Sequence, residues 1–522
     1  MAVEENSFSI GIDLGTTFSS VAYYDPVKGE PVVLQDESGK EQVASWISIS
    51  QFDKSGYTLI GSNAKSDINT ECAIYDSKRI IGRDESDVSY DDREHWPFKI
   101  KGKDNGSAYI QQCPISNVVV TVPVDFNDRQ REATLLACKL AGIKNVELAN
   151  EPTAAIAGYK RENPNSLKNG DKVVLIDFGG GTLDVSCCKI VNDNIIVESS
   201  GGNQNLGGND FDNVMTDIIK ERIEDGIPGY YEKKQGMTQK EKIALNKKLV
   251  RLKKESEKIK IELSGKTDSE LDLEFLLSDN NDEILIEPTI TRKEFEEECK
   301  SRGLYEEFIN KIKQVTQKKG YKKGNVQLVL LIGGTCKMPK IIDEVASLFD
   351  RQTFADKNFN PLTAVAKGAA YLAYSKQSEC VGHKIVYDIV PTPIGIEIIG
   401  GIFEILIKEG ETLPTTGATK QYYTTKDNQT SAKFNIYKGF GKYISSIGME
   451  FITTLRVDGI PSGKAGEQSF EFTIKVNENG MMEISASVVG SDIKKDLIVS
   501  VDLSKKEEGE IAKLMEHFQT FY

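Results

Sequence analysis

Val173-Val174-Leu175-Ile176-Asp177-Phe178-Gly179-Gly180-Gly181-Thr182-Leu183-Asp184-Val185 joins a buried strand to a turn without side chains and a second strand. Four β-branched or leucine residues in a row predict a strand covered on both faces, and the three glycines permit a tight reversal before Leu183 and Val185 resume it. Such a turn can bring backbone N–H groups against an anion. Asp177 and Asp184 can then hold a hydrated Mg²⁺, while the Thr182 hydroxyl donates to a phosphate oxygen. One such stretch by itself reads better as an ordinary hairpin whose Asp and Thr form the turn.

The pattern occurs twice. Ile10-Gly11-Ile12-Asp13-Leu14-Gly15-Thr16-Thr17-Phe18-Ser19-Ser20-Val21 repeats the order of apolar strand, Asp, glycine-bearing turn, Thr and returning strand. Val118 to Pro123 then precedes the alanine-rich Glu151-Pro152-Thr153-Ala154-Ala155-Ile156-Ala157-Gly158-Tyr159. Leu328 to Gly334 likewise precedes Pro361-Leu362-Thr363-Ala364-Val365-Ala366-Lys367-Gly368-Ala369-Ala370-Tyr371. Val119 and Pro152 are 33 positions apart, Val329 and Pro361 32. Three matched pairs in one order predict two copies of an α/β unit, each bringing an Asp-Gly-Thr turn to a shared cleft suited to a nucleoside triphosphate.

In order, Gly11 to Thr17, Lys78-Arg79-Ile80-Ile81-Gly82, Thr121-Val122-Pro123, Glu151 to Ala155, Asp177 to Thr182, Leu206-Gly207-Gly208-Asn209-Asp210-Phe211-Asp212 and Gly333-Gly334-Thr335 resemble the seventy-kilodalton heat-shock chaperones. The resemblance implies an α/β, actin-like two-lobed ATPase domain over residues 1–380 and an interdomain linker over 381–390. An all-β sandwich would follow over 391–503, with the start of a helical lid at 504–522. It also implies ATP and Mg²⁺ as cofactors, and as partners unfolded polypeptides, a J-domain co-chaperone and a nucleotide exchange factor. By the same resemblance Asp13, Asp177 and Asp184 organise Mg²⁺ through water, and Lys78 places the γ-phosphate. Glu151 supports the attacking water; Thr16, Thr17 and Thr182 hold phosphate oxygens. Gly15, Phe18, Gly179, Gly180, Gly181, Gly207, Gly208, Gly333 and Gly334 would surround the nucleotide, with Glu257, Lys260, Ser264 and Lys337 on the nucleoside side. There the chain departs from the family: Leu362 stands where Asp is usual, Lys337 where Arg is common and Phe18 where Tyr is frequent. Lys337 keeps the charge but not a planar group that stacks on a base.

The bulk properties agree. A chain of 522 residues exceeds one core, and a formal charge of −14 gives no broad attraction to nucleic acid. Eight cysteines without a CxxC pair read as reduced thiols. The N-terminus is polar and acidic, and no apolar run reaches the roughly 20 residues that span a bilayer, so a cytoplasmic chain without a membrane partner is expected. Met237 to Leu263 spaces its apolar residues as an amphipathic helix, and Thr291 to Lys319 reads as a helical stretch. Gly265-Lys266-Thr267 is not a Walker loop, because Lys260 occupies the place of the earlier glycine.

Past Pro391 the pattern turns to strands. Gly395 to Ile399 and Ile402 to Ile407 flank Gly400-Gly401 as a hairpin, and Phe470 to Val476 alternates as a half-exposed strand. In the resembled family this sandwich holds an extended peptide by strand-type recognition. Carried over, the pocket and arch fall on Ile396, Ile399, Tyr422, Thr425, Ala432, Phe434 and Ile436, which apart from the resemblance read as plain core packing. Ser504-Lys505-Lys506-Glu507 is a capping box that opens a helix striped by Ile511, Leu514, Met515 and Phe518.

Two readings follow. One is an ATP-driven chaperone; the other is a non-cycling relative that keeps nucleotide as a structural ligand and serves as scaffold or co-chaperone. One gap bears on both. Only Cys113-Pro114-Ile115-Ser116 separates the strand-like Ala108 to Gln112 from the next strand, whereas a parallel crossover normally takes about a dozen residues with its helix. The first lobe is therefore expected to lack a helix and to leave one sheet face poorly covered.

Overall fold

Two sheets share one strand arrangement. In the first, Phe8–Leu14 pairs antiparallel with Phe18–Asp25 and parallel with Ile115–Val122. In the second, Lys172–Phe178 pairs antiparallel with Leu183–Val191 and parallel with Leu328–Ile332. The repeat in the sequence is thus a repeat of topology. This computed structural model describes residues 8–36, 39–49, 58–66, 72–81, 115–141, 143, 145–278, 286–355, 359–375 and 386–498.

The central strands are apolar because both their faces are covered. On Lys172–Phe178, Val174, Ile176 and Phe178 face Phe211, Phe308 and Ile312 of flanking helices. Val173 and Leu175 face the alanine-rich pair Glu151–Glu162 and Ala364–Ser375. These two helices run against each other at Gly158 and Gly368. A Cβ on Gly368 would overlap the backbone carbonyl of Ala154, and one on Gly158 would lie 3.1 Å from the Gly368 Cα. The Ala364–Ser375 helix also presses on the first sheet, where a Cβ on Gly11 would meet the Ala370 backbone. Each half therefore contributes one helix to a shared seam, and small residues let the backbones touch.

The first sheet is unevenly covered. Ser9, Ser20, Ala22 and Tyr24 are buried on the side of the seam. On the other side Val118, Val120 and Val122 lie under the Asp128–Leu140 helix, but Ile10, Ile12, Leu14, Val21 and Tyr23 are only half-buried. Ala108 to Gln112 and Cys113-Pro114, where the expected gap falls, lie outside the described residues.

The helices follow their signals, with one correction. Thr238 and Glu241 form a capping box that opens the Gln239–Gly265 helix. The Thr291 to Lys319 stretch is two helices, Arg292–Ser301 and Leu304–Gln317, because Gly303 adopts a φ of 76° that ends the first. Periodicity alone does not register such a break.

Residues 386–498 add an edge strand and two further sheets. Val386–Tyr387 pairs parallel with Ile195 and Ile196 of the Asn194–Asn203 strand, extending the second sheet. Ile402–Ile407, Ile394–Ile398, Ser431–Lys438 and Glu450–Asp458 form one four-stranded antiparallel sheet. Ala418–Tyr423, Ser469–Val476, Met482–Val488 and Lys494–Ile498 form another. Ile396, Ile436 and Leu455 from one meet Phe472, Ile474 and Ile484 from the other in a common core. Polar contacts bind this unit to the first: Met482 N–H donates to Asp128 at 2.8 Å, Leu148 N–H to Asn479 at 2.9 Å, and Arg131 to the Asn479 carbonyl at 3.3 Å.

The seam gives a direct test. Gly368→Val forces the Ala154 carbonyl away, and overpacking of this kind costs about 3 kcal/mol, so the melting temperature should fall by several degrees; an unchanged melting temperature would show that the seam is not close-packed.

Candidate functional site

The two glycine-threonine turns face one another across the halves. The Thr17 hydroxyl donates to Asn209 Oδ1 at 3.4 Å, and a Cβ on Gly180 or Gly181 would overlap the side chain of Thr17 or Thr16 respectively. Arg79, 2% exposed, reaches from the first half to the Gly181 carbonyl at 3.0 Å and Asp210 Oδ2 at 2.7 Å. Asn209 Nδ2 donates to Asp76 at 2.6 Å. The turns are thus held in register by polar side chains from both sides.

A crowded charge cluster lies beneath them. The Lys78 ammonium donates to Glu151 Oε1, both being buried. Asp13 accepts from the Thr121 hydroxyl at 3.3 Å; Asp184 accepts from Val124 N–H at 2.8 Å through one oxygen, while its other oxygen is buried without a partner. Four carboxyls, Asp13, Glu151, Asp177 and Asp184, share one ammonium. Burial, then the Glu151 charge, push the Asp13 carboxyl up to about 7. The same two causes hold Asp177 and Asp184 well above the usual carboxylate range. Burial alone would lower the Lys78 ammonium, but Glu151 and Asp13 outweigh it and raise it. Among the described residues no three carboxylates come together as direct metal ligands, whereas the orphaned Asp184 oxygen suits the water shell of a hydrated cation.

The cleft above this cluster measures about 430 Å³. Asp13, Gly15, Thr16, Thr17, Phe18 and Lys78 line it from the first half. Glu151, Asp177, Gly179, Gly180, Thr182 and Gly208 continue the wall, and Gly333, Gly334 and Lys337 close it. Glu257, Lys260 and Ser264 enter from one face of the Gln239–Gly265 helix. Of the predicted cleft residues, Gly181, Gly207 and Asp184 sit beside the wall instead of on it: Gly207 packs against the Gly180 backbone.

Several contributors escaped the sequence reading. Lys65 pairs with Glu257 at 2.6 Å and lies over the Phe18 ring at 4.6 Å, joining the two cleft lips. Asp212, 2% exposed, binds Lys260 at 2.8 Å; burial would raise its carboxyl, yet Lys260 and Lys253 hold it below the usual range. Asp212 and Asn209 stand inside a motif already noted for its glycines. Lys65 had no signal beyond being a lysine.

A family model described as Hsp70 protein matches residues 9–114 and 110–521. The chain belongs to the Hsp70 family. Hsp70 proteins are chaperone ATPases that bind ATP or ADP with Mg²⁺, unfolded polypeptides and co-chaperones. In this Hsp70 the two matched stretches meet at residues 110–114. Among its described residues no helix is long and apolar enough to cross a membrane.

The seven residues assigned to a peptide pocket separate in this Hsp70. Ile396, Phe434 and Ile436 are buried in the core between the last two sheets. Tyr422 and Ala432 are half-buried, Thr425 is exposed and Ile399 is 82% exposed at the tip of its hairpin. The Tyr422 ring meets Phe434 edge-on at 5.7 Å, and its hydroxyl donates to Glu404 at 2.7 Å. Residues 504–522 lie outside the described part of the chain, as do Lys384 and Ile385.

The carboxyl cluster sets a pH dependence. Asp13, Asp177 and Asp184 are raised, so the folded chain keeps protons that the unfolded chain has released between about pH 4 and 7, and stability declines as pH rises through that window. In metal-free, nucleotide-free buffer the melting temperature should fall between pH 5 and 7, and Mg²⁺ should shrink that fall by favouring the ionised carboxylates. A melting temperature that rises over this range would contradict the assignment.

Proposed function

We propose that this Hsp70 is an ATP-driven chaperone in which residues 1–380 form an actin-like clamp of two lobes. Residues 381–390 are then the interdomain linker, 391–503 a sandwich that holds extended apolar peptide, and 504–522 the start of a lid. One observation carries the reading: two Gly-Thr turns, one from each half, face across a cleft that also holds the buried Lys78 to Glu151 pair.

Roles follow from position. In hydrolysis a water oxygen bonds to the γ-phosphorus as its bond to the ADP oxygen breaks, and the proton leaves with phosphate or solvent. Little covalent chemistry falls to the protein, so positioning and charge carry the rate. Thr16, Thr17 and Thr182 donate hydroxyls to phosphate oxygens, and Lys78 offsets the charge on the transferred group. Glu151 holds the attacking water in line. Asp13, Asp177 and Asp184 would hold a hydrated Mg²⁺, which would supply further charge neutralisation.

Coupling has a route. The Asp388 carboxylate accepts from Asn150 Nδ2 at 2.6 Å and the Thr153 hydroxyl at 2.7 Å, at the N-terminus of the helix that begins with Glu151. Arg131 donates to Asn150 Oδ1 at 2.9 Å and to the Asn479 carbonyl. Movement of the C-terminal unit therefore reaches the residue beside Glu151 through two side chains.

Steady-state phosphate release tests this reading. Turnover should rise with an apolar peptide and a J-domain partner, and Thr182→Ala should slow it by roughly 10²-fold, the cost of one preorganised donor, with nucleotide binding retained. Release no faster than buffer alone would sink the enzyme and leave the non-cycling scaffold.

A further inference from the structure

The nucleoside end of the cleft is walled by Ile261 and Ser264 of the Gln239–Gly265 helix with Lys337, Met338, Pro361 and Leu362. Ile261 is 56% exposed here, whereas Leu252, Ile259 and Leu263 of the same helix are buried. A helix that turns one isoleucine into an open cleft offers an apolar plate for a flat ligand.

The polar atoms of this end are already engaged. The Ser264 hydroxyl donates to the Lys260 carbonyl at 3.3 Å, and Gln42 Nε2 to the Leu362 carbonyl at 3.2 Å. Leu362 N–H donates to Asn360 Oδ1 at 3.1 Å, Gly333 N–H to the Pro361 carbonyl at 3.1 Å and Lys337 N–H to the Gly334 carbonyl at 3.1 Å. Glu257 is held by Lys65 and Lys260 by Asp212. Lys337 differs: its exposed ammonium has no ion-pair partner among the described residues, and it can only donate.

We propose that this site reads the phosphates and not the base, so that guanine and hypoxanthine nucleotides bind it alongside adenine nucleotides. The inference rests on the nucleotide-clamp reading. Purines present similar faces and differ at their hydrogen-bonding edges, so apolar walls give each ring similar contact. Strong discrimination comes from a site whose buried polar groups would be left unpaired by the wrong ligand, and the groups here are satisfied without any ligand. The ammonium of Lys337 can donate to the N7 acceptor that adenine and guanine both present, so it does not choose between them. Nothing on these walls penalises the exchange.

Calorimetric titration of the nucleotide-stripped whole chain with Mg-ADP, Mg-GDP and Mg-IDP decides the matter. The expected result is that the three dissociation constants agree within about 100-fold, the ceiling for apolar discrimination between near-isosteric ligands. ADP binding with GDP weaker by more than that factor overturns base tolerance while leaving the clamp standing. Heat from none of the three removes the clamp itself and this inference with it.

Discussion

Gly368 lies so close to the carbonyl of Ala154 that no side chain fits between them, and the geometry of the whole N-terminal part depends on that contact. The two alanine-rich helices can touch only because each presents a glycine at the crossing. The Ala364–Ser375 helix then lies against the first sheet at Gly11, and the Glu151–Glu162 helix against Val173 and Leu175 of the second. With both sheets fastened to one seam, the turns at Gly15 to Thr17 and Gly179 to Thr182 are left facing each other. Polar cross-links at Arg79, Asn209 and Lys65 then fix their separation, each a side chain from one half bonded to the other.

What the seam brings together resists being together. Four carboxyls around a single ammonium, three of them buried and Asp13 half-buried, are stable only with bound protons or a compensating cation. Raised carboxyls at Asp13, Asp177 and Asp184 express that tension in the free chain. A site that costs stability when empty is one that a ligand can close, since whatever supplies the missing positive charge also tightens the cleft.

The repeated Asp-Gly-Thr turn was legible because its chemistry is local: strand, carboxylate, glycines and threonine lie within a dozen residues. The topological repeat and the shared cleft followed from it. Asp212 and Lys65 were not legible, since their importance lies in partners 48 and 192 positions away, Lys260 and Glu257. The helix break at Gly303 was missed because apolar spacing continues through it while the backbone does not. Ile396, Phe434 and Ile436 show the opposite case. An alternating strand states which side chains face inward and says nothing of whether a ligand shares that interior.

The Val386–Tyr387 strand joins the second sheet at its edge and leads into Asp388, the partner of Asn150 and Thr153 beside Glu151. If the cleft and the C-terminal unit communicate, this short pairing must respond to what occupies the cleft. Amide hydrogen exchange at Val386 and Tyr387 measures it directly. The account predicts slow exchange with Mg-ATP and markedly faster exchange with ADP or without nucleotide; equal rates in all three states would contradict it.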